Sequence, residues 1–189
     1  MQSPELSRDN IVGFILELFE RRGAEEYMGE CISMSQHMEQ TAACAIANGA
    51  SDELVIAALL HDLGHFVGDF PIDALENGID NQHEDAGANF LAKFFPQSVS
   101  EPVRLHVAAK KYLCAVDSDY SRHLSVASVD SLRVQGGAMT KSEITEFEAN
   151  PYHASAIKLR CYDDDGKVAG LTIKPVSDYR SQLETLLLP

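Results

Sequence analysis

The feature that most constrains this chain is an apolar run that ends abruptly at two polar residues. The run covers Leu54–Leu60, LVIAALL, and His61 and Asp62 follow it directly. Ser51 is a good helix cap, so the pattern predicts a central, buried helix that ends near His65. An imidazole and a carboxylate at the end of such a helix must lose water, which is costly unless they are paired or bound to a metal.

Helical spacing and capping residues recur along the rest of the chain, without the alternation of strand and helix that marks a parallel sheet. Residues 100–113 and 120–134 each predict one helix. Thr140 and Glu143 form a capping box for a short helix. Residues 163–166, DDDG, predict a turn. We therefore expect an all-α fold, with residues 1–189 forming a single domain.

Composition restricts the possible partners and compartment. The formal charge of −14 argues against nucleic acid as a partner, because phosphates require a basic face. The longest apolar run is far shorter than the roughly 20 residues of a membrane span, so no membrane association is expected. The four cysteines lie far apart without a CxxC motif, and the N-terminus shows no secretory signal pattern. These features predict reduced thiols and a cytoplasmic location.

Residues of metal-ligating type occur in several of the predicted helices. A single histidine is usually an ordinary hydrogen-bonded residue, and an acidic turn is usually solvated. As an ordered set, however, imidazoles and carboxylates form the ligand mixture that suits iron, manganese or zinc. Asp62 has two oxygens and could bridge two metal ions. The candidate metal ligands are His37, His61, Asp62, His83, His106 and Asp163.

This order of residues resembles the HD-domain superfamily, in which H…HD…D holds a metal inside a helical bundle. The additional His83 and His106 resemble the dinuclear branch of that superfamily. Four further stretches are similar to small mixed-valent diiron oxygenases of that branch, which cleave carbon–phosphorus bonds oxidatively. They are YMGE at 27–30, QHE at 82–84, HVAAKKYL at 106–113 and QGGAM at 135–139.

The resemblance implies a helical bundle with a dinuclear site in its core. Two iron ions, as a mixed-valent Fe(II)/Fe(III) pair, would be held by the six candidate ligands, with Asp62 bridging. It implies His37, His61 and Asp163 around one iron and His83 with His106 at the other. Dioxygen would be the co-substrate. The catalytic residues expected on this basis are Asp62, His65 and Lys110.

The resemblance also implies a small hydroxyphosphonate as the substrate. Lys110 lies one helical turn after His106, and Arg160 one turn before Asp163, so both cations are carried toward the metals. A trimethylammonium group would need aromatic faces, for which Tyr27, Phe66, Phe70, Tyr112 and Tyr162 are available. We expect the loop 66–81 to set specificity at the amine end. The expected substrate-binding residues are Tyr27, Glu30, His65, Lys110, Ser128, Gln135 and Arg160.

The expected reaction converts (R)-1-hydroxy-2-(trimethylammonio)ethylphosphonate and dioxygen into glycine betaine and phosphate. The same chemistry on 2-amino-1-hydroxyethylphosphonate would give glycine and phosphate. Two other classes remain open: a metal-dependent HD phosphohydrolase, which needs no oxygen, and a non-catalytic ligand-binding HD protein. An inositol-oxygenase-like reaction would not explain why Lys110, Ser128 and Arg160 match phosphonate-binding positions. The oligomeric state is left open.

Overall fold

The computed structural model describes residues 5–27, 29–68 and 78–189. Within them the regular structure is helical, which confirms the all-α prediction; the one β-bridge joins Glu26 and Ser33. No helix in these ranges is long and apolar enough to cross a membrane. The α-helices are α1 (Ile11–Arg22), α2 (Met34–Ala47), α3 (Asp52–Leu60), α4 (Gly64–Val67), α5 (His83–Leu91), α6 (Gln97–Val116), α7 (Val126–Val134), α8 (Lys141–Ala149), α9 (His153–Asp165) and α10 (Arg180–Thr185). Two 3₁₀ segments cover Tyr120–Arg122 and Val176–Tyr179.

The helix α3 occupies the centre of the bundle, as its sequence predicts. It packs against α2, α6 and α9, while α5 packs on α6. Every residue of Leu54–Leu60 is buried, and Ser51 caps the helix by accepting from the Leu54 amide. Each buried Leu, Ile or Val side chain contributes about 1.5–3 kcal/mol. This apolar centre fixes where His61 and Asp62 emerge.

The prediction that this helix continues to His65 is wrong. The chain turns at 61–63, and the short helix α4 then begins at Gly64. The turn brings α4 across α5 at very close range, because a Cβ on Gly64 would lie 1.8 Å from the His83 carbonyl oxygen. The crossing sets His83 beside the residues that end α3.

The predicted turn at 163–166 is also wrong, because α9 continues through Asp165. Acidic residues at a helix C-terminus oppose the helix dipole, at a cost of about 0.3–1 kcal/mol each. Arg160 offsets that cost by pairing with both Asp163 and Asp164 at helical spacing. Asp163 therefore lies on a rigid helix.

Two other helix boundaries differ from the sequence prediction. Residues 120–134 divide into a 3₁₀ segment and α7, because Ser125 accepts from the Ser128 amide and starts a new helix. The helix α6 begins at Gln97, so residues 100–113 cover only its middle. The capping box of Thr140 and Glu143 is present at the start of α8, as predicted.

Candidate metal centre

Four buried imidazoles meet at the centre of the bundle. His37 lies in α2, His61 follows α3, His83 opens α5 and His106 lies in α6. The ring centroids of His37 and His61 are 4.9 Å apart, and those of His83 and His106 are 5.1 Å apart. Separate elements therefore bring the four predicted histidines into one cluster.

Hydrogen bonds at Nδ1 determine which ring nitrogen of each histidine can bind a metal. Nδ1 of His37 lies 2.9 Å from the Gly166 carbonyl oxygen. His61 and His106 contact the carbonyl oxygens three residues earlier, at 2.9 and 2.7 Å. The fourth ring, at the start of α5, contacts Asn81 Oδ1 at 3.0 Å. A carbonyl oxygen can only accept, so these Nδ1 atoms carry the hydrogen and each Nε2 keeps a free lone pair.

The free Nε2 atoms face one another in two pairs. Those of His37 and His61 are 3.1 Å apart, and those of His83 and His106 are 3.2 Å apart. Two unprotonated nitrogens at this distance repel each other unless a cation is coordinated by both. The arrangement therefore fits a metal ion at each pair.

Asp62 lies between the two histidine pairs. Its Oδ2 is 3.6 Å from His37 Nε2 and 3.4 Å from His61 Nε2. Its Oδ1 is 3.3 Å from His83 Nε2 and 3.6 Å from His106 Nε2. One oxygen thus faces each pair, which is the donor arrangement of a bridging carboxylate.

Asp163 adds a further donor on one side only. Its Oδ1 lies 3.3 Å from His37 Nε2 and 3.9 Å from His61 Nε2, and it is buried without a hydrogen-bond partner. Its Oδ2 accepts from Arg160 Nη1 at 2.6 Å. Burial alone would raise the pKa of Asp163, but Arg160 and Lys167 hold it well below its usual range. The carboxylate is therefore ionised, as a metal ligand must be.

The six donors define two sites, which we call the first site and the second site. The first site has His37, His61, Asp163 and Oδ2 of Asp62. The second site has only the other histidine pair and Oδ1 of Asp62. Nitrogen and carboxylate donors in this mixture fit first-row transition metals, iron among them.

A cavity opens beside the second site. It is lined by Tyr27, Asp62, Ile79, Asp80, Asn81, His83, His106, Val107, Lys110, Ala127, Ser128, Ser131, Val134, Gln135, Arg160 and Asp163. Most of the predicted substrate-binding residues are in this set, but Glu30 and His65 are not.

Lys110 is one of two cations at the wall of this cavity, the other being Arg160. It is buried on α6, and its Nζ donates to Ser131 Oγ at 2.6 Å. Burial, and then the neighbouring Arg160, lower the pKa of Lys110 to about 8. Gln135 also lines the cavity, and its Oε1 is buried without a partner. The Lys110 ammonium can receive an anionic oxygen of a ligand, and Gln135 Oε1 can accept from a ligand hydroxyl.

Arg160 reaches the cavity with its donors already engaged. The guanidinium pairs with Asp163 and Asp164, and it donates to Ser128 Oγ at 3.2 Å and to the Tyr120 hydroxyl at 3.0 Å. Its first contribution is therefore to hold Asp163 in place.

Tyr27 lies over the first site. Its ring stacks on His37, with centroids 3.9 Å apart and planes 24° apart. Burial, followed by the charges of Asp62 and Asp163, raises the pKa of Tyr27 well above its usual value. The phenol is therefore neutral and forms part of the cavity wall.

His65 and Glu30 stand outside the cavity wall. His65 stacks on His83, with centroids 4.2 Å apart, and its Nε2 is buried without a partner. Burial, and then His83, lower the pKa of His65 to about 3, so this ring is neutral at physiological pH. Glu30 Oε1 is also buried without a partner. Their roles toward substrate stay predictions.

Most of the aromatic residues considered for an ammonium pocket lie elsewhere. Phe66 packs edge-on against Phe19, Tyr112 packs on Phe147, and Tyr162 belongs to the main hydrophobic core. Phe70 lies outside the described residues, as does most of the loop 66–81. Among the described residues, Tyr27 is the aromatic side chain at the cavity.

The sequence reading did not identify two polar residues of this region, Ser131 and Lys167. Lys167 Nζ lies 3.5 Å from Asp163 Oδ1 and donates to Ser128 Oγ at 3.2 Å. It stands four residues after Asp163, the same helical spacing that singled out Lys110 after His106. That spacing was the available signal for Lys167, whereas no pattern marked Ser131.

The fold and its His/Asp centre define the class of protein. The HD domain family matches residues 33–129, a range that includes helices α2–α6 in full and the first part of α7. Among curated proteins, the chain is 47% identical over 167 residues to a 1-hydroxy-2-(trimethylamino)ethylphosphonate dioxygenase (glycine-betaine-forming) from Leisingera caerulea. The match covers 88% of this chain and 85% of the relative.

Two further relatives align over similar lengths. A hydroxymethylphosphonate dioxygenase from Gimesia maris is 43% identical over 175 residues, covering 92% of this chain and 86% of the relative. An uncharacterized protein of Acanthamoeba polyphaga mimivirus is 34% identical over 172 residues, covering 90% and 78%. The chain belongs to the HD-domain family, in the group that contains these phosphonate dioxygenases.

Proposed function

We infer that this protein is an oxygenase that oxidatively cleaves the C–P bond of a 1-hydroxyalkylphosphonate. The substrate we propose is (R)-1-hydroxy-2-(trimethylammonio)ethylphosphonate, giving glycine betaine and phosphate. The observation that carries this proposal is the 47% identity, over 88% of the chain, to the relative that is named as a glycine-betaine-forming phosphonate dioxygenase. The bridging position of Asp62 between two histidine pairs supports it.

The donor set is suited to a mixed-valent Fe(II)/Fe(III) pair. When bound, the two irons would supply the binding position for dioxygen and the redox equivalents for oxidation at C1. Asp62 holds the two sites at a fixed separation. The second site has fewer protein donors and faces the cavity, so it leaves more coordination positions for the substrate.

Different residues of the cavity wall bind the two ends of the proposed substrate, the phosphonate and the ammonium group. The ammonium of Lys110 binds the phosphonate oxygens, and the Ser128 hydroxyl donates to them. Tyr27 and Asp80, which also line the cavity, provide an aromatic face and a negative charge for a quaternary ammonium. A ligand without an amine, such as hydroxymethylphosphonate, would leave these two groups unused. This observation favours an amine-bearing substrate over hydroxymethylphosphonate.

The remaining parts of the proposal concern the setting of the reaction. We propose that the described helices belong to one domain spanning residues 1–189. We also propose a cytoplasmic location, because all four cysteines are free thiols, the state expected in a reducing compartment. The partner is a small molecule.

The test is phosphate release from the iron-loaded protein with and without dioxygen. The substrates are the trimethylammonio, 2-amino and unsubstituted hydroxyphosphonates, supplied separately at equal concentration. We expect oxygen-dependent phosphate release that is fastest with the trimethylammonio compound. Preference for another hydroxyphosphonate would retain the reaction and change the substrate. Phosphate release from nucleotides or phosphate esters without oxygen, and none from hydroxyphosphonates, would contradict the proposal in favour of a phosphohydrolase.

A further inference from the structure

Lys167 is a nearly buried cation just beyond the end of α9. Its side chain is 9% exposed, and its Nζ lies 3.5 Å from Asp163 Oδ1 and 3.9 Å from Asp164 Oδ1. The same ammonium donates to Ser128 Oγ at 3.2 Å and lies 5.8 Å from the centroid of the Tyr27 ring. A lysine that gives up this much hydration needs compensating partners. All of these partners belong to the candidate site.

The Ser128 hydroxyl is surrounded by hydrogen-bond donors. Arg160 Nη2 and Lys167 Nζ each lie 3.2 Å from its oxygen, and the Ser125 hydroxyl donates from 3.4 Å. Guanidinium and ammonium groups cannot accept, and a serine oxygen has two acceptor lone pairs and one hydrogen. The two cations are the closest of the three donors and therefore occupy both lone pairs. In the described part of the chain, this hydroxyl has no hydrogen-bond acceptor.

Ser128 lines the cavity, whereas Lys167 does not. The hydrogen of the Ser128 hydroxyl is therefore directed toward the cavity, and Lys167 stands behind it. Electrostatics point the same way. Arg160 and Lys167 are paired with Asp163 and Asp164, whereas Lys110 has no carboxylate partner among the described residues and is available to an anion.

We propose that Lys167 is a positioning residue for the anionic end of the substrate. Together with Arg160 it makes the Ser128 hydroxyl an obligate donor to a phosphonate oxygen. The inference rests on the proposed function, because it takes a phosphonate as the ligand of the cavity. Lys167 acts through Ser128 and makes no contact of its own with the substrate.

The test is a double-mutant cycle on the metal-loaded protein with Lys167→Met, Ser128→Ala and the combination. Inorganic phosphate is the probe, and its dissociation constant is measured by calorimetry. We expect Lys167→Met to weaken phosphate binding about 10-fold. The double variant should bind no more weakly than Ser128→Ala alone, because both changes remove the same donated hydrogen bond.

Three controls separate positioning from a general structural role. Lys158→Met removes the same charge from an exposed position of α9 and should leave phosphate binding unchanged. Lys167→Arg keeps a cationic donor and should restore most of the affinity. Under turnover, Lys167→Met should raise KM for the hydroxyphosphonate with a much smaller change in kcat.

Three results would overturn the proposal. If the fold-losses in phosphate affinity of the two single variants multiply in the double variant, Lys167 acts independently of Ser128. Unchanged phosphate affinity in Lys167→Met would show that Lys167 has no role in anion binding. Loss of bound metal in that variant, with normal phosphate affinity in the metal-loaded fraction, would assign Lys167 to Asp163 alone. Absence of wild-type turnover would contradict the proposed function, while the phosphate cycle would still decide the role of Lys167.

Discussion

The two metal sites share Asp62 but differ in their surroundings. The first site has four protein donors and lies among α2, α3 and α9, with Arg160 and Lys167 behind Asp163. The second has three donors, and both of its histidines line the cavity. The histidines of the second site thus reach the cavity, whereas those of the first site are covered by protein and only its carboxylates line the cavity. We therefore expect the first site mainly to hold its metal and the second mainly to receive substrate.

The histidines of the two sites are also oriented by different means. Nδ1 of His37 is held by the Gly166 carbonyl, and those of His61 and His106 by carbonyls of their own helices. His83, in the second site, is held by the Asn81 side chain. A backbone carbonyl cannot be removed by substitution, but an amide side chain can. We therefore expect a side-chain substitution to loosen His83 in the second site directly, whereas the orientation of His37 in the first site changes only when the backbone moves.

The largest effect is expected from removing the extra donor of the first site. Asp163→Ala should abolish activity and lower iron content, because Oδ1 is lost as a ligand. It also leaves Arg160 buried without this partner, and breaking a buried pair costs about 3–5 kcal/mol. Phosphate release, metal analysis and thermal unfolding measure these effects. Asp165→Ala, on an exposed position of the same helix, is the control. Normal activity in Asp163→Ala would disprove the site assignment.

A smaller effect is expected from moving the carbonyl that orients His37. In Gly166→Ala the new Cβ would lie 2.5 Å from Thr41 Oγ1 and 3.0 Å from the Thr41 amide nitrogen, so α9 and α2 must separate. We expect about 10–100-fold lower metal affinity, confined to the first site. Gly13→Ala is the control, since nothing lies within 4 Å of its added Cβ. An equal loss of metal affinity at both sites would contradict the distinction between them.

The matching change in the second site is Asn81→Ala. It removes the acceptor of His83 Nδ1 and frees the ring to change tautomer. We expect up to about 10–100-fold lower activity, with the metal of the first site retained. Metal titration followed by spectroscopy separates the two sites. If Asn81→Ala depletes the first site instead, the assignment of donors to the two sites is wrong.

The smallest effect concerns the pH dependence of binding at the cavity. The pKa of Lys110 is about 8, set by burial and the charges of Arg160, Asp163, Lys167 and Asp164. Lys110 is therefore protonated below pH 8 and loses its charge above it. KM for the hydroxyphosphonate should rise above about pH 8, with kcat changing less. Lys110→Arg, which stays charged, should lose this rise; a rise of the same size in that variant would exclude Lys110 as its cause.

The residues that meet at the candidate centre could be predicted from the sequence because their chemical types and order are distinctive. His61 and Asp62 were marked by the apolar run before them, and α3 is buried as expected. The assignment of each oxygen to a histidine pair could not be predicted, because it depends on how α2, α5 and α6 meet. Spacing along one helix says nothing about such crossings.

The errors have similar physical causes. The helix boundary after Leu60 was missed because the close contact of Gly64 with His83 is a tertiary contact. The end of α9 was misplaced because Arg160 offsets the helix-terminal acids. Phe66 and Tyr162 were plausible pocket residues by type, but packing places both outside the cavity. The predicted substrate roles of His65 and Glu30 remain untested.

The wide separation of the ligands along the chain has a consequence for folding. His37 comes before the central helix and Asp163 near the end of α9, so partial folding units lack the complete donor set. Metal uptake and the final docking of α9 are therefore thermodynamically linked, each favouring the other. In such a chain, we expect the supply of the bound metal to influence the amount of folded protein as well as its activity.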